Sequence, residues 1–570
     1  TMAAAVFFST IVALTLSPML CSKLLLPRDE NRKSVSAWID RGFDRIANGY
    51  GRVLDTIIHR PIAMGLVVVA VLVGAWFLLK AVPSEFAPKE DRGSFFVLVR
   101  GPEGATYDYI KDYMLEIEAR TMPLVEAGEI ERLLVRAPSF GGERFNSGVV
   151  IIGLKPWAQR RSAWEIMDDI RSRVSDLPGV RAFPVMRQSF GGGRGQPIQF
   201  VIGGGTYEQL TEWRDTLTTA VGERMPGLIG VDSDYKETQP QLRVNIDRNR
   251  AGDLGVSVRD IGLTLQTMLG SRRVTTYIDD GEEYDVIVEG ERSEQRTQDA
   301  IANLYVRSAT SGELIPLSNL VTIREQADAF ELNRFNRVRA ITLEAGLADG
   351  LVLGEALREL EELAREVLPE NVVIDYKGQS RDLQESSGSL LFVFLLGLVV
   401  VFLVLAAQFE SFVHPLVIML TVPLAVTGAL FGLWLVGSTL NIYSQIGLVM
   451  LIGLAAKNGI LIVEFANQRR DAGVGFDEAL MEASRVRFRP IVMTAITTAA
   501  GSLPLILSSG AGAETRFAIG IVILFGVLAA TLFTVFVVPV AYSLLARKTD
   551  SPEAVARQLE SKLAETPMQP

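Results

Sequence analysis

Apolar residues in this chain fall into seven long blocks, near residues 2–22, 61–82, 389–407, 413–436, 441–466, 489–509 and 517–546. Each is close to the ~20 residues that a helix needs to cross a hydrocarbon core of roughly 30 Å. Between the first two blocks, Val35, Trp38, Ile39, Phe43, Ile46, Tyr50, Val53, Leu54 and Ile57 recur at three- and four-residue steps, the stripe of an amphipathic helix. Next to two spans such a helix is expected to lie in the membrane interface; packing on a soluble neighbour is the alternative. The long stretch after the second block has another rhythm. Strand-like runs at 94–100, 130–136, 147–154, 197–203, 227–234, 240–246, 339–345 and 371–376 alternate with helical patterns at 106–122, 161–174, 206–223 and 351–367. Strand, helix, strand recurs, which predicts small split βαβ modules in place of one continuous parallel sheet. The expected fold is an α-helical membrane bundle with an α+β domain inserted into it.

Composition agrees with this segregation. A 570-residue chain that is 48% hydrophobic is too apolar for an ordinary soluble protein, yet 56 Lys and Arg with 66 Asp and Glu are too many for spans alone. The net charge of −10 leaves no basic excess for phosphates, so nucleic acid is not an expected partner. One cysteine, Cys21, excludes an intrachain disulfide and a cysteine metal cluster, and His59 and His414 have no ligand-like spacing around them. The glycine-rich run Gly191–Gly195 lacks a Walker lysine and a strand–loop–helix setting, so it reads as a linker and gives no support to ATP-driven chemistry. No bound cofactor is expected.

Basic residues orient the bundle. Residues 23–60 carry eight Lys or Arg, the link 467–488 carries Arg469, Arg470, Arg485 and Arg487, and Arg547 and Lys548 follow the last block. All three segments belong in the cytoplasm by the positive-inside tendency. The insert 84–388, the loop 510–516 and Thr1 then lie outside. A start at Thr1 in place of an initiator methionine, on that side, is expected of a sequence with residues missing upstream.

Lys457 carries the most information. It sits in GLVMLIGLAAKNGILIVEFA (447–466), about nine residues from the inner end of the span, or roughly 13 Å of helix rise. That is too deep to snorkel comfortably, so a charge there costs several kcal/mol unless it is paired. The cores of the other six spans contain no Asp or Glu; Glu410 and Glu464 lie near cytoplasmic ends. Either the amine is uncharged or its partner lies outside these residues, and the second reading is preferred. A lysine whose partner alternately binds and releases a proton is a proton-coupling device. On the next span Arg487, Thr494 and Thr498 fall on about one face, at steps of seven and four. Thr494 is placed either to relay a proton or to bond back to its own helix, and Arg487 either to guard the entrance or to anchor the interface. In the insert, SFGGERFNSG (139–148) reads as a glycine-hinged loop with Phe140 and Phe145, either gating a pocket or turning a hairpin.

The segments AAQFESFVHPLVIMLTVPLAVTGAL (406–430), GLAAKNGILIVEFAN (453–467) and RVRFRPIVMTAITTAAGSLPL (485–505) closely resemble the resistance-nodulation-division permeases, above all their hydrophobe/amphiphile efflux (AcrB-like) branch. STIVALTLSPMLCSKLL (9–25) and EDRGSFFVLVRGPEGAT (90–106) match it too. The resemblance implies an inner-membrane, proton-gradient-driven exporter of amphiphilic small molecules such as drugs, dyes and detergents, not an enzyme. It implies a bacterial homotrimer in membrane lipid that meets a periplasmic adaptor and an outer-membrane channel. It also implies a division of the chain: residues 1–22 the sixth span, 23–60 the interfacial helix, 61–83 a span, 84–195 a first porter subdomain, 196–239 and 331–380 a second one interrupted by a docking domain at 240–330, 381–547 five further spans and 548–570 a cytoplasmic tail. Lys457, with its neighbour Asn458, then belongs to the proton relay, Thr494 is the relay threonine and Arg487 the cytoplasmic-side arginine. The family's relay aspartates fall on a span before Thr1. Phe140 falls on the switch loop, and Phe96, Leu98 and Phe183 line the entrance cleft. Leu133, Pro138 and Ile151 stand where the family has pocket phenylalanines. A metal-ion exporter of the same family, a translocation accessory of the same superfamily and a membrane-bound enzyme are the rivals. Clustered methionines, a smaller outer domain and a nucleophile–base pair, respectively, would favour them.

Overall fold

The computed structural model describes residues 2–24, 35–139, 144–187, 195–291, 297–348 and 350–549. The chain opens with helices α1 (Met2–Leu24), α2 (Val35–Ile58) and α3 (Pro61–Ala81). Then come β1 (Ser94–Arg100), α4 (Tyr107–Glu126), β2 (Ile130–Arg136), β3 (Ser147–Leu154), α5 (Ala163–Val174), β4 (Arg181–Met186), β5 (Ile198–Gly203), α6 (Tyr207–Arg224) and β6 (Leu228–Ser233). An insert holds β7 (Gln239–Ile246), α7 (Arg248–Asp253), α8 (Val258–Gly270), β8 (Arg272–Asp279), β9 (Glu282–Val288), α9 (Gln298–Ala302), β10 (Tyr305–Arg307), β11 (Leu314–Pro316) and β12 (Val321–Asp328). After it follow β13 (Arg334–Phe335), β14 (Val338–Leu347), α10 (Leu353–Val367) and β15 (Val373–Tyr376). The chain ends in α11 (Gly378–Phe409), α12 (Val413–Met419), α13 (Thr421–Leu435), α14 (Ile442–Asp471), α15 (Phe476–Ile506) and α16 (Ala513–Leu545). Two compact units result: a helical one of Thr1–Val82, Leu390–Leu507 and Arg516–Pro570, and a sheet-bearing one of Pro83–Ser389 with Ser508–Thr515.

The sheet-bearing unit uses one topology twice. Its first sheet is antiparallel in the order β2-β3-β1-β4, so β3 lies between the two strands that α4 connects. Alternation along β1 buries Phe95, Val97 and Val99 against α4 and α5. On α4 the residues facing them are Ile110, Met114, Ile117, Thr121 and Leu124, spaced at helical steps. Side chains of Thr106 and Ser162 accept N–H groups at the starts of α4 and α5, which fixes where each helix begins. The second sheet runs β14-β5-β15, with β6 and the short β13 on the far side of β14. Here β14 again separates the two strands joined by the first helix, α6. Leu210, Trp213 and Leu217 of α6 and Leu353, Leu357 and Leu360 of α10 fill its core. The insert has a core of its own around Ile261, Leu304, Leu317 and Leu320.

All eight strands and four helices expected in this stretch form, but β4 and β8–β13 are not in the hydrophobic pattern. β4 is an edge strand with Pro184 inside it, a residue tolerated only where one side of the ladder is free. β8 and β9 pair only with each other and are exposed on both faces, so no alternation marks them. The glycine-rich linker lies outside the described residues except for Gly195.

Among the described residues seven helical spans are long and apolar enough to cross a membrane, one of them made up of α12 with α13. α14 is half buried, while α1, α3 and α11 expose almost all of their apolar surface. Glycines bring the buried helices together. A Cβ built on Gly428 of α13 would lie 2.1 Å from Ala529 Cβ and 2.8 Å from Phe525 O, and one on Gly432 would lie 2.6 Å from the Phe525 ring, both across to α16. This four-residue spacing is the small-xxx-small device of membrane helices. Gly428→Val is therefore expected to push α13 off α16. Overpacking of this kind costs about 1–3 kcal/mol, which a lower melting temperature of the detergent-solubilised protein would show. α2 is seated on the bundle by Tyr50, whose hydroxyl donates to Val535 O at 2.7 Å and whose ring stacks on Phe488 at 4.4 Å. Leu54 is buried beside it, whereas Ile46 and Val53 of the same stripe stay exposed.

Candidate functional site

Two places gather the residues that the sequence singles out. The first is α14 in the helical unit. Asn441 starts this helix, its side chain accepting from Tyr443 N and Ser444 N at 3.0 Å each. Gly447, Leu451, Ala455, Asn458, Gly459 and Ile462 make its buried face. Asn458 Nδ2 donates to Thr531 Oγ1 at 3.2 Å and so ties α14 to α16. Lys457 is one residue earlier, about 100° round the helix, and it is exposed, as is Gly453 one turn before it. Among the described residues Lys457 makes no hydrogen bond or ion pair. The two neighbours therefore face different surroundings, Asn458 the packed bundle and Lys457 the open side of the helix.

On α15 the hydroxyl of Thr494 donates to Ile491 O at 3.0 Å and that of Thr498 to Thr494 O at 2.8 Å. Both threonines are thus in the back-bonded state that spacing alone left open. Arg487 lies with its guanidinium 4.7 Å from the centre of the Phe465 ring, and its Nε is buried without a hydrogen-bond partner among the described residues. A further polar set, missed by the sequence reading, joins three spans near the end of α14. Tyr542 hydroxyl donates to Asn467 Oδ1 at 2.6 Å, Arg470 Nη1 donates to Tyr542 at 2.8 Å, and the buried His414 ring stacks on Tyr542 at 5.6 Å. These residues are up to 128 positions apart, and no local signal could have grouped them.

The second place is a cleft of about 690 Å³ in the sheet-bearing unit, in the range that holds a drug-sized molecule. Phe86, Trp164, Met167, Phe183, Met186 and Leu351 supply apolar wall. Because Phe95, Val97 and Val99 point into the core, Phe96 and Leu98 stand on the other face of β1. Leu98 is directly opposite Phe183 of β4, and Phe96 is opposite Val185 and Ile151. Of these expected cleft residues the structure brings Phe183 to the wall of the cavity, with Leu98 beside it in register. Leu133 packs on the core side of its sheet, and Leu134, its neighbour, is the residue opposite Ile151. Phe140 lies outside the described residues.

Charges cross this cleft. Arg100 of β1 reaches Glu344 of β14 at 3.1 Å and Asp232 of β6 at 3.5 Å, and Arg181 of β4 reaches Asp232 at 3.0 Å. Lys236 holds Asp232 from its own side at 2.7 Å. Burial pushes the Asp232 carboxyl up, but the hydrogen bond and charge of Lys236 and the charge of Arg181 outweigh it and hold the group below the usual carboxylate range.

Comparison with known proteins gives these sites a context. The sequence profile described as the AcrB/AcrD/AcrF family matches residues 1–546. An uncharacterized transporter of Haemophilus influenzae is 34% identical over 559 residues, 96% of this chain and 53% of the relative. The multidrug/solvent efflux pump membrane transporter MepB of Pseudomonas putida is 32% identical over 95% of this chain and 52% of its own length. The multidrug export protein AcrF of Escherichia coli is 31% identical over 96% and 54%. The chain thus spans about half the length of the curated relatives it matches.

Proposed function

Since this chain belongs to the AcrB/AcrD/AcrF family, a family of multi-pass membrane transporters, we propose that it carries part of a proton-driven exporter of amphiphilic small molecules. The observation that carries this reading is Lys457. An ammonium in the middle of an apolar span, on the open face of its helix and unpaired among the described residues, is stable only if a carboxylate meets it from elsewhere. When that carboxylate takes up a proton the attraction lapses, and the helix that bears Lys457 has two positions in place of one. Thr494 and Arg487 on α15 are the relay's further members in this reading. Thr494 exchanges its bond to Ile491 O for one to a moving proton carrier, and the orphaned Nε of Arg487 is free to take part at the cytoplasmic side. The membrane in question is the bacterial inner membrane, and the sheet-bearing unit stands in the periplasm as two porter modules, 84–195 and 196–239 with 331–380, plus a docking insert at 240–330. Three copies, a periplasmic adaptor and an outer-membrane channel complete the assembly.

The cleft supports amphiphiles as cargo, since it sets an aromatic and aliphatic wall beside fixed charges. Metal ions suit it less: Met114 and Met225 are core residues, and the two methionines that reach the wall, Met167 and Met186, have no cysteine or histidine near them on that wall. In inverted membrane vesicles holding the complete transporter, an imposed pH gradient without ATP is expected to drive dye uptake, and adding dye to discharge the gradient. Uptake that needs ATP and ignores the gradient would exclude the proposal.

A further inference from the structure

The charges across the cleft do more than line it. Arg100 and Arg181 belong to the first βαββαβ module, Asp232 and Glu344 to the second, so all three pairs join one module to the other. The partners differ in exposure. The Asp232 and Glu344 side chains are 13% and 19% exposed, while those of Arg100 and Arg181 are 39% and 58% exposed. The half-buried carboxylates are therefore the fixed half of each pair, and the more exposed guanidiniums the half that can leave. Opening the cleft must part these pairs, which leaves Glu344 without Arg100 and Asp232 with Lys236 alone, and a half-buried carboxylate short of cations is costly.

We propose that Arg100, Arg181, Asp232 and Glu344 form an electrostatic latch across the cleft, and that the ligands which release it are amphiphilic cations whose charge replaces Arg181 on Asp232. This rests on the cleft being a substrate site, as proposed above. A neutral amphiphile fills the same apolar wall but leaves Asp232 without a substitute. An anionic one pairs with the exposed arginines and leaves Glu344 bare and Asp232 with Lys236 alone. The latch thus ranks cargo by charge, where the apolar wall ranks it by size.

Cysteine labelling in native membranes tests this without turnover. In the complete transporter with Cys21→Ala and Met186→Cys, the rate of maleimide labelling at position 186 reads how often the cleft opens. Asp232→Asn is expected to raise that rate roughly three- to tenfold, the range for a small network of partly exposed pairs. Tetraphenylphosphonium is expected to accelerate labelling of the protein with Asp232 intact, and triphenylphosphine oxide, neutral and of similar bulk, to leave it unchanged. In Asp232→Asn the cation should lose its effect. Should Asp232→Asn fail to accumulate, Arg181→Ala carries the same expectation of faster labelling, since its side chain is exposed and its loss leaves Asp232 still paired with Lys236. Labelling unchanged by either substitution, or accelerated equally by cation and neutral compound, overturns the latch. Because labelling is read without a gradient, loss of proton-coupled uptake with the labelling pattern intact would count against the transport reading and leave the latch standing.

Discussion

Lys457→Ala is expected to lower export by about a hundredfold, the equivalent of the roughly 3 kcal/mol that an ion at mid-span is worth. Dye accumulation in a pump-deficient host carrying the complete gene would then match that of the empty host. The structure makes this a clean test. Lys457 is exposed on α14 and touches no partner among the described residues, so its truncation opens no cavity and breaks no contact among them. Variant and wild type should accumulate to similar levels. Lys457→Arg should fail nearly as badly, since a guanidinium grips a carboxylate through two parallel bonds and yields it less readily than an ammonium. Export by Lys457→Ala at the wild-type rate would make the lysine structural and remove the mechanism proposed here.

That the sequence pointed to Lys457 at all follows from a one-residue argument: a cation among apolar neighbours is costly wherever its helix packs. What it could not supply was direction. Asn458 and Lys457 are adjacent letters, and only packing decides that the first faces Thr531 and the second the open side. The same limit holds at Thr494, where spacing allows two hydrogen-bond states and the helix carbonyl of Ile491 takes the hydroxyl. Ser94–Arg100 was legible as a strand-like run, but with Phe95 to Val99 all apolar the sequence did not show which face enters the core. The cleft was not legible, because Arg100, Arg181, Asp232 and Glu344 come from four strands of two sheets, and a pattern along the chain carries no record of which edges meet. Topology also hid the repeat: the second module is split by the insert between β6 and β13, so its third strand follows its second by about a hundred residues.

Asp91→Ala should have the largest effect on stability in the sheet-bearing unit. Its carboxylate takes two hydrogen bonds from Arg160, at 2.7 and 2.8 Å, and one each from Gly93 N at 3.0 Å and Ala163 N at 2.9 Å. The Arg160 side chain is only 1% exposed. The same corner holds Trp157, whose Nε1 donates to Asp91 O at 3.1 Å, and Glu514, whose Oε1 accepts from Asp91 N at 3.3 Å. Removing the carboxylate leaves a buried guanidinium with only the carbonyls of Lys155 and Arg161 and no counter-charge, and the first N–H of α5 without its acceptor, a loss of about 3–5 kcal/mol. Burial pushes the Asp91 carboxyl up, yet Arg160 and the two backbone donors hold it below its ordinary value. A group depressed in this way contributes its stability fully above the ordinary carboxylate range and loses it as pH falls through the lower, folded value. The melting temperature of the wild-type protein in detergent should therefore be flat from neutral pH down to about pH 5, and the part due to Asp91 should fade only in stronger acid. Asp91→Ala should melt lower across the flat range, with residues 84–389 becoming open to protease first, and should lose less on acidification than wild type does. Replacing both partners, as Asp91→Leu with Arg160→Met, should restore much of the loss, because it is the unpaired charge and not the missing pair that costs most. If the double variant is no more stable than Asp91→Ala, the backbone donors of Gly93 and Ala163, and not Arg160, set the energy of this corner.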